Sequence, residues 1–546
     1  MESPPPAAAP GALQPGALQP GALQPGALQP GALQPGGLQP GARGAWVLAC
    51  AVLLIAALEA LVTPLHLYDE GLLLTDALRV AGGEVPYRDF YTPYGPLEGA
   101  LLAPLVRVLG PELLLLRLER AAALALTAAL ALHLARRLGA GPLASAAPLL
   151  LLLPPVETMV SPALPALLAA GVCLERALRG SEQPAHAWGR WAVLSGVLLA
   201  VTALFRYDWG AFAAAGCAFA LLAVPGRRRG VVLRAGGPLL ASLGVYLLLA
   251  GGPASLRGHL AHAAAVLPYR WLPYPWPWVF GWGQLHYAIY YLLPPLVLLI
   301  GVGQLLLRAR GRAAAPGGDE PGSGPLTSFL LVTLAGLCFY ARSRPDLPHV
   351  FPGWVLTACL LAGQGGRVPA RLAGRAGTLL VALVCALLLA RGASALRARG
   401  DLEATRLAGL RGLRLPAGTR AELAAVVSAA HALTRPGEAV FVGCAGHDRL
   451  VVNHPLLYPL LGRPIPTRCH ALDPGWATTE PVQQAMIAEL EAAPLRLVVL
   501  DRAPPRLEPN RSAVPGATLL DAWLERRTRV RYETPGYRLL EVTPAR

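Results

Sequence analysis

The sequence predicts a mainly α protein: a polytopic transmembrane bundle of about eleven spans, with a small α/β domain at its C-terminal end. Three observations predict it. Of 546 residues, 54% are hydrophobic and only 14% are charged, and the mean hydropathy is +0.47; soluble domains carry about 25% charge. Apolar runs long enough to cross a bilayer recur as far as residue 394. From about residue 397 the pattern changes to short strand and helix signals. The expected divisions are therefore a tail at 1–43, a membrane domain at 44–396 and an extracytoplasmic domain at 397–546.

The tail repeats the pentapeptide PGALQ from residue 10 to about residue 40. A proline and a glycine in every five residues leave no helix or strand period, so this segment reads as disordered. It lacks the charged-then-apolar pattern of a cleaved signal.

A spanning helix needs about 20 apolar residues, because hydrocarbon offers the backbone no other hydrogen-bond partner. Such runs lie at 45–67, 112–135, 142–160, 162–178, 190–206, 209–225, 231–252, 284–306, 326–341, 350–366 and 376–394. The apolar run at 97–109 is shorter. At about 1.5 Å per residue it reaches about 20 Å against a hydrocarbon core of about 30 Å, which suits a helix lying at the interface. The run 71–81 is also short and stops at Gly82-Gly83, a good helix terminator.

Arginine placement predicts the orientation. The chain has no lysine, so all 47 basic residues are arginine and the net charge is +15. With abundant Ala, Gly and Pro, this composition fits a GC-rich coding bias, and nucleic acid is not an expected partner. Arg43, Arg136-Arg137, Arg176, Arg179, Arg190, the GRRRG and RARGR loops, and Arg367, Arg371 and Arg375 fall in alternate loops. They belong on the cytoplasmic side if the N-terminus is inside. The segments 68–111, 205–210, 253–283 and 342–349 then face outward, and so does the C-terminal domain. Tyrosine and tryptophan crowd that outward face, while only Trp46, Trp188 and Trp191 mark the inner one. An interfacial belt alone would be more symmetric; the excess suggests a cavity lined for sugar rings or a lipid.

Within the C-terminal part, an arginine-rich helix is expected over 397–412. TRAE (419–422) reads as a capping box opening a helix to about 434. Strands are expected at 438–443 and 495–501, a helix at 480–492 and a hairpin over 529–542. The eight cysteines show no CxxC spacing; Cys444 and Cys469 suit either a disulfide or two buried thiols. His447, Asp448 and His454 lie close in sequence, a pattern more typical of a solvated loop than of a metal site.

The candidate chemistry lies in YDEGLLLTDALRVAGGEVPYRDFYTPYGP (68–96). Asp69 and Glu70 sit where the first span meets water. Partial burial there raises a carboxyl pKa toward the working pH, as a general base requires. Opposite charge comes from other outward helix ends: Arg206 before Tyr207 and Asp208, and Arg342 and Arg344 before Asp346 and His349. A guanidinium matches a phosphate with two parallel hydrogen bonds. The bland alternative is internal pairing of Arg206 with Asp208 and of Arg344 with Asp346. A base, a cationic phosphate site and an apolar path for a lipid carrier together suit glycosyl transfer from a polyprenyl-phosphate sugar. No GxGxxG or P-loop suggests a nucleotide donor.

The segments DEG, GGEVPYRDFYTPYGPLEGALLAPLVRVLG (82–110) and RLERAAALALTAALALHLARRL (117–138) resemble the GT-C superfamily of integral-membrane glycosyltransferases. The branch they look like contains protein O-mannosyltransferases, the aminoarabinose transferase of lipid A and the Rgt lipopolysaccharide transferases. The resemblance covers roughly 45–365 and is strongest over 65–140. It implies that the acid of the first outward loop, here Asp69, is the catalytic base, and that two interfacial helices lie in that loop. Glu70 is placed beside it as a second catalytic candidate. Arg206, Arg342, Arg344 and His349 are assigned to the donor phosphate, and Tyr87, Arg88, Asp89, Tyr94, Asp208 and Asp346 to the remaining substrate groups. The implied partners are the bilayer, a polyprenyl-phosphate sugar and an acceptor glycan, lipid or protein of the cell envelope. The implied place is a bacterial plasma membrane. No cofactor is certain: Asp69, Glu70 and Asp89 admit a divalent metal, but no ligand spacing compels one. The competing readings are a flippase of lipid-linked sugars and an O-antigen polymerase or ligase.

Overall fold

Helices occupy the long apolar runs, but charged side chains decide where several of them meet. The computed structural model describes residues 40–140, 160–179, 185–222, 228–273, 285–309, 323–364, 370–449, 452–502 and 511–543. The PGALQ repeats and nearly all of the expected span at 142–160 lie outside the described residues. The helices matching the other runs are α1 (Pro40–Ala60), α4 (Leu113–Arg137), α5 (Ala163–Arg179), α6 (Ala185–Phe205), α7 (Tyr207–Leu222), α8 (Arg228–Leu249), α10 (Leu285–Ala309), α11 (Ser323–Ser343), α12 (Leu347–Gln364) and α13 (Ala370–Asp401). Two short helices, α2 (Asp69–Ala81) and α3 (Pro96–Leu109), follow α1, and α9 (Pro253–Arg270) follows α8.

Among the described residues, four helical stretches are long and apolar enough to cross a membrane: Trp188–Phe205, Arg229–Leu249, Ile289–Leu307 and Gly324–Ser343. α4 is as long, but Arg117, Glu119 and Arg120 at one end and Arg136 and Arg137 at the other bracket its apolar middle. Buried leucines and alanines of α4, α5, α6, α7, α11 and α12 form the main apolar core.

The C-terminal part pairs β1 (Glu403–Ala404) with β2 (Arg414–Leu415), followed by α14 (Ala417–Leu433). Next come β3 (Ala439–Gly443), α15 (Leu457–Leu461), α16 (Glu480–Ala492), β4 (Leu495–Asp501), α17 (Leu519–Arg527), β5 (Thr528–Glu533) and β6 (Tyr537–Val542). The four longer strands form one sheet in the order β3-β4-β6-β5, with β3 and β4 parallel and the rest antiparallel. Alternation along the strands gives the sheet two apolar faces. Phe441, Val498 and Leu540 face α16 and α17. Val440, Val442, Leu497, Val499 and Leu539 belong to a core shared with α14 and α15 and with Leu73, Leu74, Leu102, Leu113 and Leu116 of α2, α3 and α4.

That shared core separates the two short helices of the first loop. α3 keeps an exposed apolar stripe at Leu101, Leu105 and Val108, the spacing of one helix face, as a helix at an interface should. α2 has no such face. Its residues from Glu70 to Ala77 are buried, because the C-terminal chain lies across it. Gly71 explains how closely: a Cβ there would stand 2.2 Å from the backbone nitrogen of Leu456. Leu456 N–H donates to the Leu67 carbonyl at 3.1 Å, and Thr75 Oγ1 donates to the Pro455 carbonyl at 3.1 Å.

Three local expectations need correction. α13 ends at Asp401, so the arginine-rich stretch at 397–412 is a helix end followed by the β1–β2 pair. α14 begins at Ala417 behind Pro416 without a side-chain cap, and Glu422 of the expected capping box instead accepts from Gly536 N–H at 2.6 Å. The segment from 253, expected as a loop between spans, opens with α9 (Pro253–Arg270). Cys444 and Cys469 are buried, unbridged thiols.

Candidate active site

α1 stops at Ala60, and its last carbonyls need donors. Arg117 supplies them to Ala60 and to the turn that follows. Its Nη1 donates to the carbonyls of Ala60 (2.8 Å) and Thr63 (2.9 Å), and its Nη2 to that of Pro64 (3.0 Å). Nε and Nη2 also donate to Glu70 Oε1 (2.6 Å) and Oε2 (2.8 Å). All five guanidinium N–H groups are thereby used. Glu70 Oε2 also accepts from the backbone N–H of His66 at 3.0 Å. The turn that carries Asp69 is thus fixed by a buried ion pair. Arg120, one helical turn on, pairs with Glu98 of α3. The RLER stretch therefore joins α4 to both short helices.

Asp69 opens α2, where the helix dipole favours an acid. Burial pushes its carboxyl above the ordinary value, and the charges of His66, Arg344 and His349 pull the other way. Residues some 275 positions apart are thus electrostatic neighbours. Asp346, just before α12, organises that second group. Its Oδ2 accepts from Arg344 Nε at 2.8 Å, and its Oδ1 accepts from the His349 backbone at 3.1 Å, as an N-cap does. His349 Nδ1 lies 2.5 Å from the same oxygen. Burial would raise the Asp346 carboxyl, but the hydrogen bond and charge of His349 and the charge of Arg344 hold it below its ordinary value.

Arg206 lies beyond, joined through Tyr340. The Tyr340 ring is 5.0 Å from that of His349, and the Arg206 guanidinium sits 5.0 Å over its centre. Arg206 also lies 5.5 Å from the Tyr94 ring and 5.2 Å from the Trp209 ring, and it forks onto Asp208 at 3.1 and 2.9 Å. Arg342 donates to the Leu272 carbonyl at 3.1 Å. Internal pairing is therefore present at both arginine–aspartate sites.

Tyr87 is buried at the one non-glycine position with positive φ among the described residues, +64°. It donates its hydroxyl proton to the Tyr94 carbonyl. Arg88 is exposed and forks onto Asp89 at 2.9 and 2.7 Å; this bond holds the Asp89 carboxyl below its ordinary value. Gly95 packs so tightly on the end of α6 that a Cβ would stand 2.1 Å from the Leu204 carbonyl oxygen.

Several residues at the site carry no local sequence signal. Asp473 Oδ1 accepts from Tyr68 Oη at 2.7 Å, and Asp473 Oδ2 lies 3.7 Å from His262 of α9. Arg79 at the far end of α2 donates to Glu84, to the Thr467 carbonyl and, at 3.4 Å, to His470 Nδ1. Because arginine only donates, His470 carries its proton on Nε2, 2.9 Å from Asp76 Oδ1. Arg117 and Arg120 could have been suspected: a charge inside an apolar run calls for a partner. His447 pairs with Asp521 at 2.6 Å, and His454 Nδ1 lies 3.0 Å from Tyr537 Oη.

The chain is similar in fold to ArnT. Two solved structures of ArnT from Cupriavidus metallidurans, one bound to undecaprenyl phosphate and one in the apo state, each match 92% of this chain and 100% of their own, at 14% identity and a TM-score of 0.48. No protein-family profile and no curated sequence matches.

Asp69, Glu70 and Asp89 do not form a metal-ligating set: Glu70 is held by Arg117 and Asp89 by Arg88. Among the described residues, no three His, Cys, Asp or Glu side chains are grouped to hold a metal ion.

Proposed function

We propose that the chain is a membrane glycosyltransferase of the GT-C type that moves a hexosyl or pentosyl group from a polyprenyl-phosphate sugar to an acceptor hydroxyl outside a bacterial plasma membrane. One observation carries the reading: a half-buried acid, Asp69, lies within the electrostatic reach of Arg344 and His349, from the α11–α12 connection some 275 residues on. Asp69 is the base. It takes the proton of the acceptor hydroxyl as that oxygen bonds the sugar's anomeric carbon. The bond from that carbon to the phosphate oxygen breaks, and its electron pair leaves with the lipid phosphate. Arg344 and His349 stabilise the charge that develops there. Glu70, spent on Arg117, positions Asp69 rather than meeting substrate. Arg206 and Arg342 shape the cationic side, and Tyr87, Tyr94 and Asp208 line the adjoining aromatic wall. The reading extends to about eleven spans, a cytoplasmic N-terminus, an outward domain from about residue 397, and an envelope glycan, lipid or protein as acceptor.

The test is reconstitution in vesicles with polyprenyl-phosphate hexose and pentose donors. Acceptor-dependent release of polyprenyl phosphate, lost in Asp69→Asn, is expected. Translocation of the intact lipid-linked sugar without release would replace the enzyme with a flippase. An alkaline phosphatase fused after Arg546 should be active; activity of a cytoplasmic reporter alone would overturn the orientation.

A further inference from the structure

Arg117 of α4 fixes the turn that presents Asp69 through Glu70, the residue after it. The C-terminal domain holds the same turn through the two residues before it. Leu456 N–H donates to the Leu67 carbonyl at 3.1 Å, and Asp473 Oδ1 accepts from the Tyr68 hydroxyl at 2.7 Å. The first contact joins two backbones, and many residue types could make it. The second needs two particular side chains, 405 positions apart in the chain. Asp473 is 4% exposed. Taking a carboxylate out of water is costly unless its contacts offset the loss, so its place beside Tyr68 asks for a reason.

The loop that carries Asp473 is braced from within and from outside. Ala477 N–H donates to the Asp473 carbonyl at 2.9 Å, and Gly475 N–H to Thr478 Oγ1 at 3.0 Å. α9 presses on it: Gly475 has φ +81°, and a Cβ there would stand 2.1 Å from the Tyr269 ring. On the same helix, His262 Nε2 lies 3.7 Å from Asp473 Oδ2, and the His262 ring lies 5.1 Å from that of Trp476. Tyr68 is a sensitive place for such a brace to act. Its carbonyl accepts from Leu72 N–H at 2.6 Å, in the first turn of α2, and Asp69 is the next residue. Both neighbours of Asp69 are thereby anchored, Tyr68 by the C-terminal domain and Glu70 by α4. A general base must stand within about 2.6–3.2 Å of the atom whose proton it takes. Misplacing a reacting group by about 1 Å costs up to about a hundredfold in rate.

We propose that Asp473 is a positioning residue for sugar transfer: through Tyr68 it fixes the turn that presents Asp69, so that the C-terminal domain sets the base. This rests on the glycosyltransferase reading and adds to it a residue some 400 positions from the base. The test uses the full chain in nanodiscs, with polyprenyl-phosphate hexose and pentose as donors and an extract of the native envelope as acceptor. Polyprenyl phosphate release is counted per donor bound. Unfolded protein then drops out of the comparison, and a contact that only stabilises the fold would leave the turnover unchanged. Tyr68→Phe, which removes one oxygen, and Asp473→Leu should each lower that turnover about tenfold and leave donor affinity unchanged. Asp473→Asn keeps an acceptor oxygen for Tyr68 and should recover most of the loss. The double variant, Tyr68→Phe with Asp473→Leu, should be no slower than the slower single one, because both remove the same bond. Normal turnover in Tyr68→Phe, multiplied losses in the double variant, or an asparagine variant as slow as the leucine one overturns the proposal. So does a loss of donor affinity that matches the loss of turnover. Amide hydrogen exchange at 66–72 should quicken in Tyr68→Phe; unchanged exchange means that Asp473 does not fix the turn, whatever the reaction. If the unaltered protein releases no polyprenyl phosphate, the glycosyltransferase reading itself falls, and the positioning role with it.

Discussion

Arg117 and Glu70 form a two-pronged ion pair in which both side chains are almost fully buried, 1% and 2% exposed. The pair links α4 to the turn that presents Asp69. Two adjacent acids thereby receive opposite assignments: Glu70 is neutralised inside the fold, and Asp69 is left beside the cations of another loop.

Breaking that pair should be costly. Arg117→Met leaves Glu70 buried without its partner and removes donors from the end of α1; a loss of about 3–5 kcal/mol is expected. Replacing both, as Arg117→Met with Glu70→Gln, should lose less than Arg117→Met alone. Unfolding midpoints in detergent check this, and a double variant less stable than the single one would show that the pair is not what matters.

Asp69→Asn should reduce transfer at least about a thousandfold while the protein becomes slightly more stable near pH 7. Because the folded-state pKa of Asp69 is raised, folding favours its neutral form. That stability is fully present below the unfolded pKa and lost as pH rises through the folded one. The asparagine variant should therefore gain on the parent at neutral pH and converge with it in acid. Thermal midpoints between pH 4 and pH 8 read the difference, on the order of 1 kcal/mol or less.

Arg344→Gln should shift the acid limb of the pH–rate profile upward. The base must be ionised to work, and the Arg344 charge lowers the Asp69 pKa; without it the carboxylate forms only at higher pH. His349→Gln should act in the same direction. An unmoved acid limb in both variants would separate Asp69 from this cationic group.

Gly71→Ala should loosen the C-terminal chain from α2. The new methyl would meet backbone rather than a movable side chain, a cost of about 1–3 kcal/mol. Faster hydrogen exchange at 452–470 should accompany the loss. Normal protection there would mean that the two segments separate without consequence.

Cys444 and Cys469 should resist alkylation in the folded protein and react after denaturation without reductant. Intact mass measures the adducts; a requirement for reductant would reveal a bridge.

Some of this protein was legible before any tertiary contact. Helix positions followed from apolar length, because a helix satisfies its own backbone wherever it lies. The strands of the C-terminal sheet followed from period-two patterning: 438–443, 495–501 and the 529–542 hairpin appear as β3, β4 and β5–β6. Arg206 with Asp208 and Arg344 with Asp346 were legible as local pairs, since two residues separate too little to miss each other. Other features needed the folded chain. Gly71 sits in an ordinary-looking motif until Leu456, 385 positions later, presses on it. His470, Asp473 and His259 have no neighbours in sequence that mark them; partners such as Asp76, Tyr68 and Tyr246 reach them across loops and helices. The division of labour between Asp69 and Glu70 is of the same kind. Sequence makes them equivalent neighbours, and only the packing of α4 against α2, which delivers Arg117 to one and not the other, tells them apart.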